Sequence, residues 1–314
     1  MMPDLVCIGE PMLEFNQQPN PDTEEQPLGR RFYLEGFGGD TSNTAVAAAR
    51  AGARVAYITA IGDDPPGDRF ASMWTAEGID MRGVRVSPTH PTAVYLVTHG
   101  PNGHEFRYYR QGSAASTLAP ADISEDLIKG AKYLFASGVS QAISASAADA
   151  VFHAIDLARK AGVKIAYDTN YRARLWPVAR AKAVMHQAIA EADIALPSLE
   201  DAQMLTGLTD PEAIVSYYLG LGPQTVVLKL GAQGARLGTT QGQIAIAPHP
   251  CRYVDGTGAG DTFCGNFLAR LIAGDAPEAA ARYAAVAAAL KTEGFGAVGP
   301  MPREPIVRAA MLGA

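Results

Sequence analysis

Cysteine is scarce in this chain of 314 residues: Cys7, Cys251 and Cys264 are scattered, odd in number and form no C-x-x-C pair. Neither a disulfide framework nor a structural zinc site has the ligands it needs. The six histidines, at 90, 99, 104, 153, 186 and 249, show no metal-ligand spacing either. Charge is also thin, at 18% of residues against roughly 25% in an average soluble protein. The formal net charge of −6 has the wrong sign for nucleic acid or an anionic membrane surface as the main partner. No apolar run approaches the ~18 residues that a membrane span requires. Met1-Met2-Pro3-Asp4 lacks the basic start of a secretory signal, and Leu5–Ile8 is too short for its apolar core. The expectation is a soluble, cytoplasmic protein. Two familiar phosphate motifs are missing as well. There is no GxxxxGK[ST] run, and a dinucleotide fingerprint would need a third glycine where Asp261 or Phe263 stands.

What is present is a core. Hydrophobic residues make up 48% of the chain, and 32 glycines with 21 prolines indicate many turns without low complexity. The length suits one large α/β domain or two modest ones. Short apolar runs recur at Leu5–Ile8, 54–58, 132–135, 164–167, 194–196 and 225–230. Alanine-rich stretches of helical length lie between most of them, at 41–51, 146–161, 178–191 and 201–205. Strands alternating with helices predict βαβ crossovers and a mostly parallel sheet covered on both faces. Ala51-Gly52 and Ala161-Gly162 read as helix stops, each followed at once by a strand.

Two segments depart from that alternation. Residues 92–98 and 105–110 are β-prone runs joined by the turn-rich His99-Gly100-Pro101-Asn102-Gly103-His104, the pattern of an antiparallel hairpin. Alternation puts Phe106, Tyr108 and Arg110 on one face, with Arg107 and Tyr109 on the other. Residues 13–35 also read as strand and loop. No internal repeat or long linker is visible, so residues 1–314 are expected to form a single α/β domain with a small β-sheet lid built from segments 13–35 and 92–110.

The chemistry concentrates in Asp255-Gly256-Thr257-Gly258-Ala259-Gly260-Asp261-Thr262-Phe263. It follows a strand-like run at 244–247 and opens a helix with Phe263, Phe267, Leu268 and Leu271 at apolar spacing. Glycines before a helix N-terminus let consecutive backbone N–H groups converge where the helix dipole adds positive potential, which makes an anion site suited to phosphate. Asp261 in such a place reads either as a general base beside the transferred group or as a helix N-cap in a glycine-rich turn. Gly36-Phe37-Gly38-Gly39-Asp40-Thr41-Ser42-Asn43 precedes a second helix, expected over 44–51. Its bare glycine backbone permits close approach of a ligand, and Asp40 and Asn43 can bond hydroxyls. A turn capped by Asp40 or Thr41 explains the same residues.

Together, Gly38-Gly39-x-x-x-Asn43 and Gly258-Ala259-Gly260-Asp261 resemble the two signatures of the ribokinase (PfkB) family of carbohydrate kinases. Gly9-Glu10, Ile61-Gly62-Asp63-Asp64-x-x-Gly67 and Lys229-x-Gly231-x-x-Gly234 extend the likeness along nearly the whole chain. The resemblance implies a ribokinase-like, Rossmann-like body with a β lid and transfer of a phosphoryl group from magnesium-ATP to a sugar hydroxyl. It makes Asp261 the base, with the backbone of Gly258, Ala259, Gly260 and Asp261 holding the developing charge. Asn170, Ser198, Lys229, Gly231 and Gly234 are then expected along the nucleotide.

Phe106-Arg107-Tyr108-Tyr109-Arg110-Gln111-Gly112-Ser113-Ala114 and Asp168-Thr169-Asn170-Tyr171-Arg172-x-x-Leu175-Trp176 resemble the 2-keto-3-deoxygluconate kinase branch. A sugar acid carries a carboxylate that suits arginine's planar fork, which Arg110 and Arg172 would supply. Surface salt bridges are the alternative for both. Tyr95 and Tyr108 would stack on the sugar chain, and Gly39 and Asn43 complete the expected substrate set. The chain departs from the family in two places. The family's aspartate after the first strand has only Glu14 in its neighbourhood, and its Asn-x-x-Glu appears as Ser198-Leu199-Glu200-Asp201. Thr292-Glu293-Gly294-Phe295-Gly296-Ala297 fits a loop beside the nucleotide. The expected partner is a small acid sugar, with homo-oligomers forming through the lid.

Overall fold

The structure, a computed structural model, describes residues 2–18, 31–100 and 103–313. Its strands are β1 (Leu5–Ile8), β2 (Met12–Gln18), β3 (Phe32–Gly38), β4 (Val55–Gly62), β5 (Asp80–Ser87), β6 (Ala93–Gly100), β7 (Gly103–Tyr109), β8 (Tyr133–Ser137), β9 (Lys164–Asp168), β10 (Ile194–Ala195), β11 (Thr225–Lys229), β12 (Ala235–Thr239) and β13 (Gly242–Ile246). The α-helices are α1 (Asp40–Arg50), α2 (Pro65–Ala76), α3 (Glu125–Lys129), α4 (Gly138–Ala142), α5 (Ala145–Ala161), α6 (Val178–Ala190), α7 (Leu199–Thr206), α8 (Pro211–Leu221), α9 (Ala259–Ile272), α10 (Pro277–Lys291) and α11 (Glu304–Leu312).

A nine-stranded sheet runs β13-β12-β11-β10-β9-β8-β1-β4-β5. From β11 to β5 every pairing is parallel, while β12 and β13 close one edge antiparallel. Parallel strands covered on both faces read as continuous apolar runs, and β1 and β4 are buried at every residue. Separate apolar clusters fill the two faces, one around Phe267, Trp74 and Tyr57, the other around Tyr167, Met185 and Tyr218. Edge strand β5 was not among the apolar runs of the sequence, because Asp80, Arg82 and Arg85 interrupt it, and seven of its eight residues are only partly buried or exposed. The helix stops hold: Ala51 caps α1 with Gly52 at φ 95°, and Gly162 ends α5 in the left-handed region. Helix α1 begins four residues earlier than expected, at Asp40 rather than Thr44.

Helices α1 and α9 lie against each other through small residues. A Cβ on Gly265 would stand 2.4 Å from the Thr44 carbonyl oxygen and 2.7 Å from Ala47 Cβ, so only glycine permits this approach.

A second, four-stranded sheet has the order β3-β2-β6-β7. The hairpin expected over 92–110 is β6 paired antiparallel with β7, and β2 pairs antiparallel with β3 and parallel with β6. Phe106 and Tyr108 share a face as the alternation requires, their rings stacked at 6.3 Å, with Tyr95 packed on both. Of the expected lid segments, residues 19–30 and 101–102 lie outside the described residues.

Candidate active site

The chemistry-bearing residues meet at the carboxyl ends of the parallel strands, where α/β sheets open their ligand crevices. Strand β1 delivers Glu10, β8 ends on Ser137, β9 on Asp168 and β11 on Lys229. Facing them are the N-termini of α1 and α9. Gly258, at φ 76°, is the N-cap of α9, which puts Asp261 inside the first turn and removes the N-cap reading for it. Its Oδ2 accepts instead from Asn43 Nδ2 at 2.8 Å. Among the described residues, the amides of Gly260 and Asp261 donate to no protein acceptor, so this turn retains the free N–H groups of an anion site.

The motif around Asn43 owes its shape to buried anchors. Thr41 Oγ1 bonds Tyr57 Oη at 2.9 Å, and Trp74 Nε1 donates to Ser42 Oγ at 3.1 Å. With Thr41 and Ser42 held inward, Asp40 and Asn43 are left toward the crevice. Gly39 (φ 92°) is the N-cap of α1, and a Cβ there would strike the Glu10 carbonyl oxygen at 2.2 Å. No side chain caps this helix; Asp40 Oδ1 accepts only from the neighbouring Thr41 amide, at 2.8 Å. Asn43 Oδ1 is buried with no donor among the described residues, an acceptor left for a ligand.

Burial raises the Asp261 carboxyl, with the charge of Asp40 adding to it and the Asn43 hydrogen bond opposing, to about 7. Lys229 Nζ sits 2.6 Å from Asp168 Oδ2 and 3.5 Å from Cys264 Sγ. Burial disfavours the lysine's charge, yet Asp168 outweighs it and holds Lys229 above the ordinary lysine value. A Cβ on Gly260 would lie 3.6 Å from that ammonium, so Lys229 borders the anion turn. Asn170, with φ 33°, donates to Asp40 Oδ2 at 2.8 Å, and Ser137 Oγ donates to the same oxygen.

Not every expected residue stands free. Arg110 pairs through Nη2 with the fully buried Glu10, whose other oxygen accepts from Ser113 Oγ at 2.6 Å. Its Nε is buried without an acceptor among the described residues, and its guanidinium lies 5.8 Å from the Tyr108 ring centre. Arg172 is exposed and donates only to the Tyr171 carbonyl, at 3.1 Å, among the described residues. Tyr95 donates to Glu14 Oε2 at 2.5 Å, and both are buried, so Glu14 offers no carboxylate to a sugar hydroxyl. Burial pushes Glu14 above the usual carboxylate range against that hydrogen bond. Ser198 Oγ caps α7 by accepting from the Asp201 amide at 3.2 Å. Gly231 borders open space, whereas Gly234 is required by its turn: a Cβ would meet the Ile246 carbonyl at 2.2 Å.

Asp40 was noted in the sequence as able to bond hydroxyls but was not carried into the expected substrate set, and Glu10 and Asp168 stood there only inside longer motifs. Each stands next to or inside a glycine or asparagine motif, and adjacency to the end of an apolar run was the signal available. No three His, Cys, Asp or Glu side chains converge among the described residues to hold a metal ion. Asp201 is not placed to do so, since its Oδ2 accepts from the Tyr171 amide at 3.0 Å and Thr169 Oγ1 at 3.3 Å.

Residues 2–304 match the family model described as pfkB family carbohydrate kinase. A 2-dehydro-3-deoxygluconokinase of Thermoproteus tenax is 34% identical over 311 residues, covering 96% of this chain and 93% of that protein. One from Bacillus subtilis is 33% identical over 279 residues, covering 86% and 84%. Fructokinases match too, among them fructokinase-2 of Solanum habrochaites at 30% over 273 residues, covering 85% and 81%. Among solved structures, a PfkB protein from Polaromonas sp. JS666 superposes with a TM-score of 0.85 at 31% identity, covering 98% of this chain and 99% of that one.

Proposed function

This chain belongs to the pfkB family of carbohydrate kinases, and on that premise we propose that it phosphorylates the terminal hydroxyl of 2-keto-3-deoxygluconate with ATP, using Asp261 as general base. The observation that carries the reading is the Asp261 carboxyl, pushed up to about 7 and set in the first turn of α9 beside amides with no protein acceptor. A base with a pKa near the working pH is matched to taking a hydroxyl proton.

Magnesium would enter with the nucleotide and offset the charge of its phosphates. The terminal phosphates would lie against the Gly258–Asp261 turn with Lys229 alongside. Asp261 takes the proton of the sugar hydroxyl as its oxygen bonds the γ-phosphorus; the bond to the β-phosphate oxygen breaks and ADP leaves. Asn43, holding Asp261 through Nδ2, has Oδ1 free for the sugar. Asn170, expected along the nucleotide, is held by Asp40 and acts by shaping the crevice floor, and Ser198 acts through the α7 cap.

Arg172, which has no carboxylate within 4.0 Å among the described residues although its charge reaches Asp201, supplies the charge for the substrate's carboxylate, while Arg110, neutralised by Glu10, contributes Nε and a stacking surface with Tyr108. That neutralisation also favours a second reading, a kinase of a neutral sugar such as fructose, which the fructokinase relatives support. The exposed Phe32 and Leu34 of β3 support pairing of subunits through the small sheet.

The deciding experiment is ADP release with magnesium-ATP on 2-keto-3-deoxygluconate, 5-keto-2-deoxygluconate, fructose and ribose. Turnover confined to the first is expected, with Arg172→Ala raising its KM at least tenfold. Turnover confined to a neutral sugar overturns the substrate and the role of Arg172, and leaves Asp261 as base.

A further inference from the structure

Lys291, the last residue of α10, is completely buried. Lysines are almost never found so unless paired, yet among the described residues no carboxylate oxygen lies within 4.0 Å of its ammonium. The group it does meet is a backbone carbonyl: Nζ donates to Asp255 O at 2.8 Å. That carbonyl opens the run Gly256-Thr257-Gly258, which ends as the N-cap of α9.

The rest of the turn hangs from the same place. The Val254 and Asp255 amides donate to Thr292 O at 2.8 and 3.0 Å. The Asp255 carboxylate accepts from the Thr257 amide at 2.9 Å and Thr257 Oγ1 at 2.7 Å through Oδ1, and from the Gly296 amide at 2.8 Å through Oδ2. The Ala259 amide on Gly256 O at 3.1 Å and the Thr262 amide and Oγ1 on Gly258 O, both at 2.8 Å, are local to the start of α9. The turn's ties to residues 291–296 pass through residue 255 or the residue before it, and Lys291 supplies the only charged donor among them in the described structure. Burial pulls the lysine's pKa down, while the negative charges of Asp255, Glu14 and Asp261 face it and favour its protonated form.

We propose that Lys291 is a positioning residue for phosphoryl transfer: its ammonium, fixed under the Asp255 carbonyl, holds the 255–258 turn so that the Gly260 and Asp261 amides point at the phosphates. The proposal rests on the kinase reading. A merely structural lysine predicts something different. An apolar side chain of similar length removes the cost of burying a charge that has no ion-pair partner, so Lys291→Met would then leave both fold and site intact.

The test compares wild type with Lys291→Met by thermal unfolding, by calorimetric titration with magnesium-ADP, and by amide hydrogen exchange over residues 254–262 without nucleotide. Expected are a retained or raised Tm, at least tenfold weaker magnesium-ADP binding, and faster exchange confined to that turn. In steady state, KM for ATP rises and kcat falls, while KM for the sugar stays within twofold. Methylammonium, small enough for the vacated space, should restore nucleotide affinity to Lys291→Ala. Affinity within twofold of wild type together with unchanged exchange in Lys291→Met overturns the proposal. If that variant does not fold, Lys291→Gln, which keeps an N–H donor without the charge, is judged by the same criteria. A wild-type protein that binds no nucleotide would overturn the kinase reading, and the exchange comparison would still decide the role of Lys291.

Discussion

A carboxylate that takes a proton from an alcohol works against its own acidity unless the protein raises its pKa. Around Asp261 the raising is done by burial and by Asp40, against the Asn43 hydrogen bond. As the proposed base, Asp261 is active only when deprotonated, so kcat/KM should climb with pH along an acidic limb centred near 7 and level off above it. Asp261→Asn should abolish that limb and lower kcat by at least 10³-fold, with ATP affinity within about threefold of wild type. The same shift has a sign for stability. Between the ordinary aspartate value and 7 the folded chain binds the extra proton, so folding stability from this residue falls as pH rises through that window. Asp261→Asn should therefore raise the Tm at pH 8 more than at pH 5, measured by calorimetry. A limb unmoved in Asp261→Asn, or a variant active within tenfold, would remove Asp261 from the base role.

At this scale the sequence named Asp261 and Asn43 but not what joins them. Their hydrogen bond links positions 218 apart, and the Arg110–Glu10 pair links positions 100 apart. Arg110 was expected to meet a substrate carboxylate, with a surface salt bridge as the alternative, and the structure shows a salt bridge that is buried rather than on the surface. The acid comes from the end of β1, a contact that no local pattern encodes. Glu14 was likewise noted where a sugar ligand was expected, and only packing against Tyr95 shows it turned inward.

The two glycine motifs become one site because α1 and α9 approach closely, and the closeness depends on Gly265. A larger side chain would strike the Thr44 carbonyl, next to Asn43, and push the helices apart. Gly265→Val should destabilise the fold by about 1–3 kcal/mol, the usual cost of overpacking. It should lower kcat by more than tenfold, because the Asn43–Asp261 bond stretches with the helices. Urea unfolding and steady-state kinetics on the same preparation check both. Stability lost with kcat unchanged would show that the approach serves packing alone. Elements themselves were legible where burial on both sides made apolar runs, as in β1, β9 and β11. They were not legible in β5, where an edge strand carries charge. The start of α1 was misplaced because Asp40 and Thr41 read as cap residues, while the cap is Gly39, whose role comes from φ rather than from a side chain.

Over the whole molecule, apolar burial is unevenly shared. The nine-stranded sheet has an extensive core on each face, whereas the four-stranded sheet has a small cluster of Met12, Ala93, Tyr95 and Val97. Polar ties join it to the body: Arg110 to Glu10, Arg69 to Glu35 at 2.7 Å, and Arg174 to the Phe106 carbonyl at 2.9 Å. Segments with few buried apolar contacts open at lower free energy than the core. Amide exchange in β6 and β7 should therefore run ahead of exchange in β1, β4 and β8. A sheet that covers the sugar during transfer must also close on it, since water left in the site would compete for the phosphoryl group. Adding sugar and a non-hydrolysable ATP analogue should then slow exchange in β6–β7 selectively, with Tyr95 and Tyr108 drawn onto the ligand and the 254–262 turn protected by the phosphates. Equal slowing across all strands would instead mean that the ligands stabilise the fold globally and that the small sheet does not move. Protection at the turn without protection in β6–β7 would separate the two halves of the site, leaving the nucleotide half as described and the small sheet without a part in catalysis.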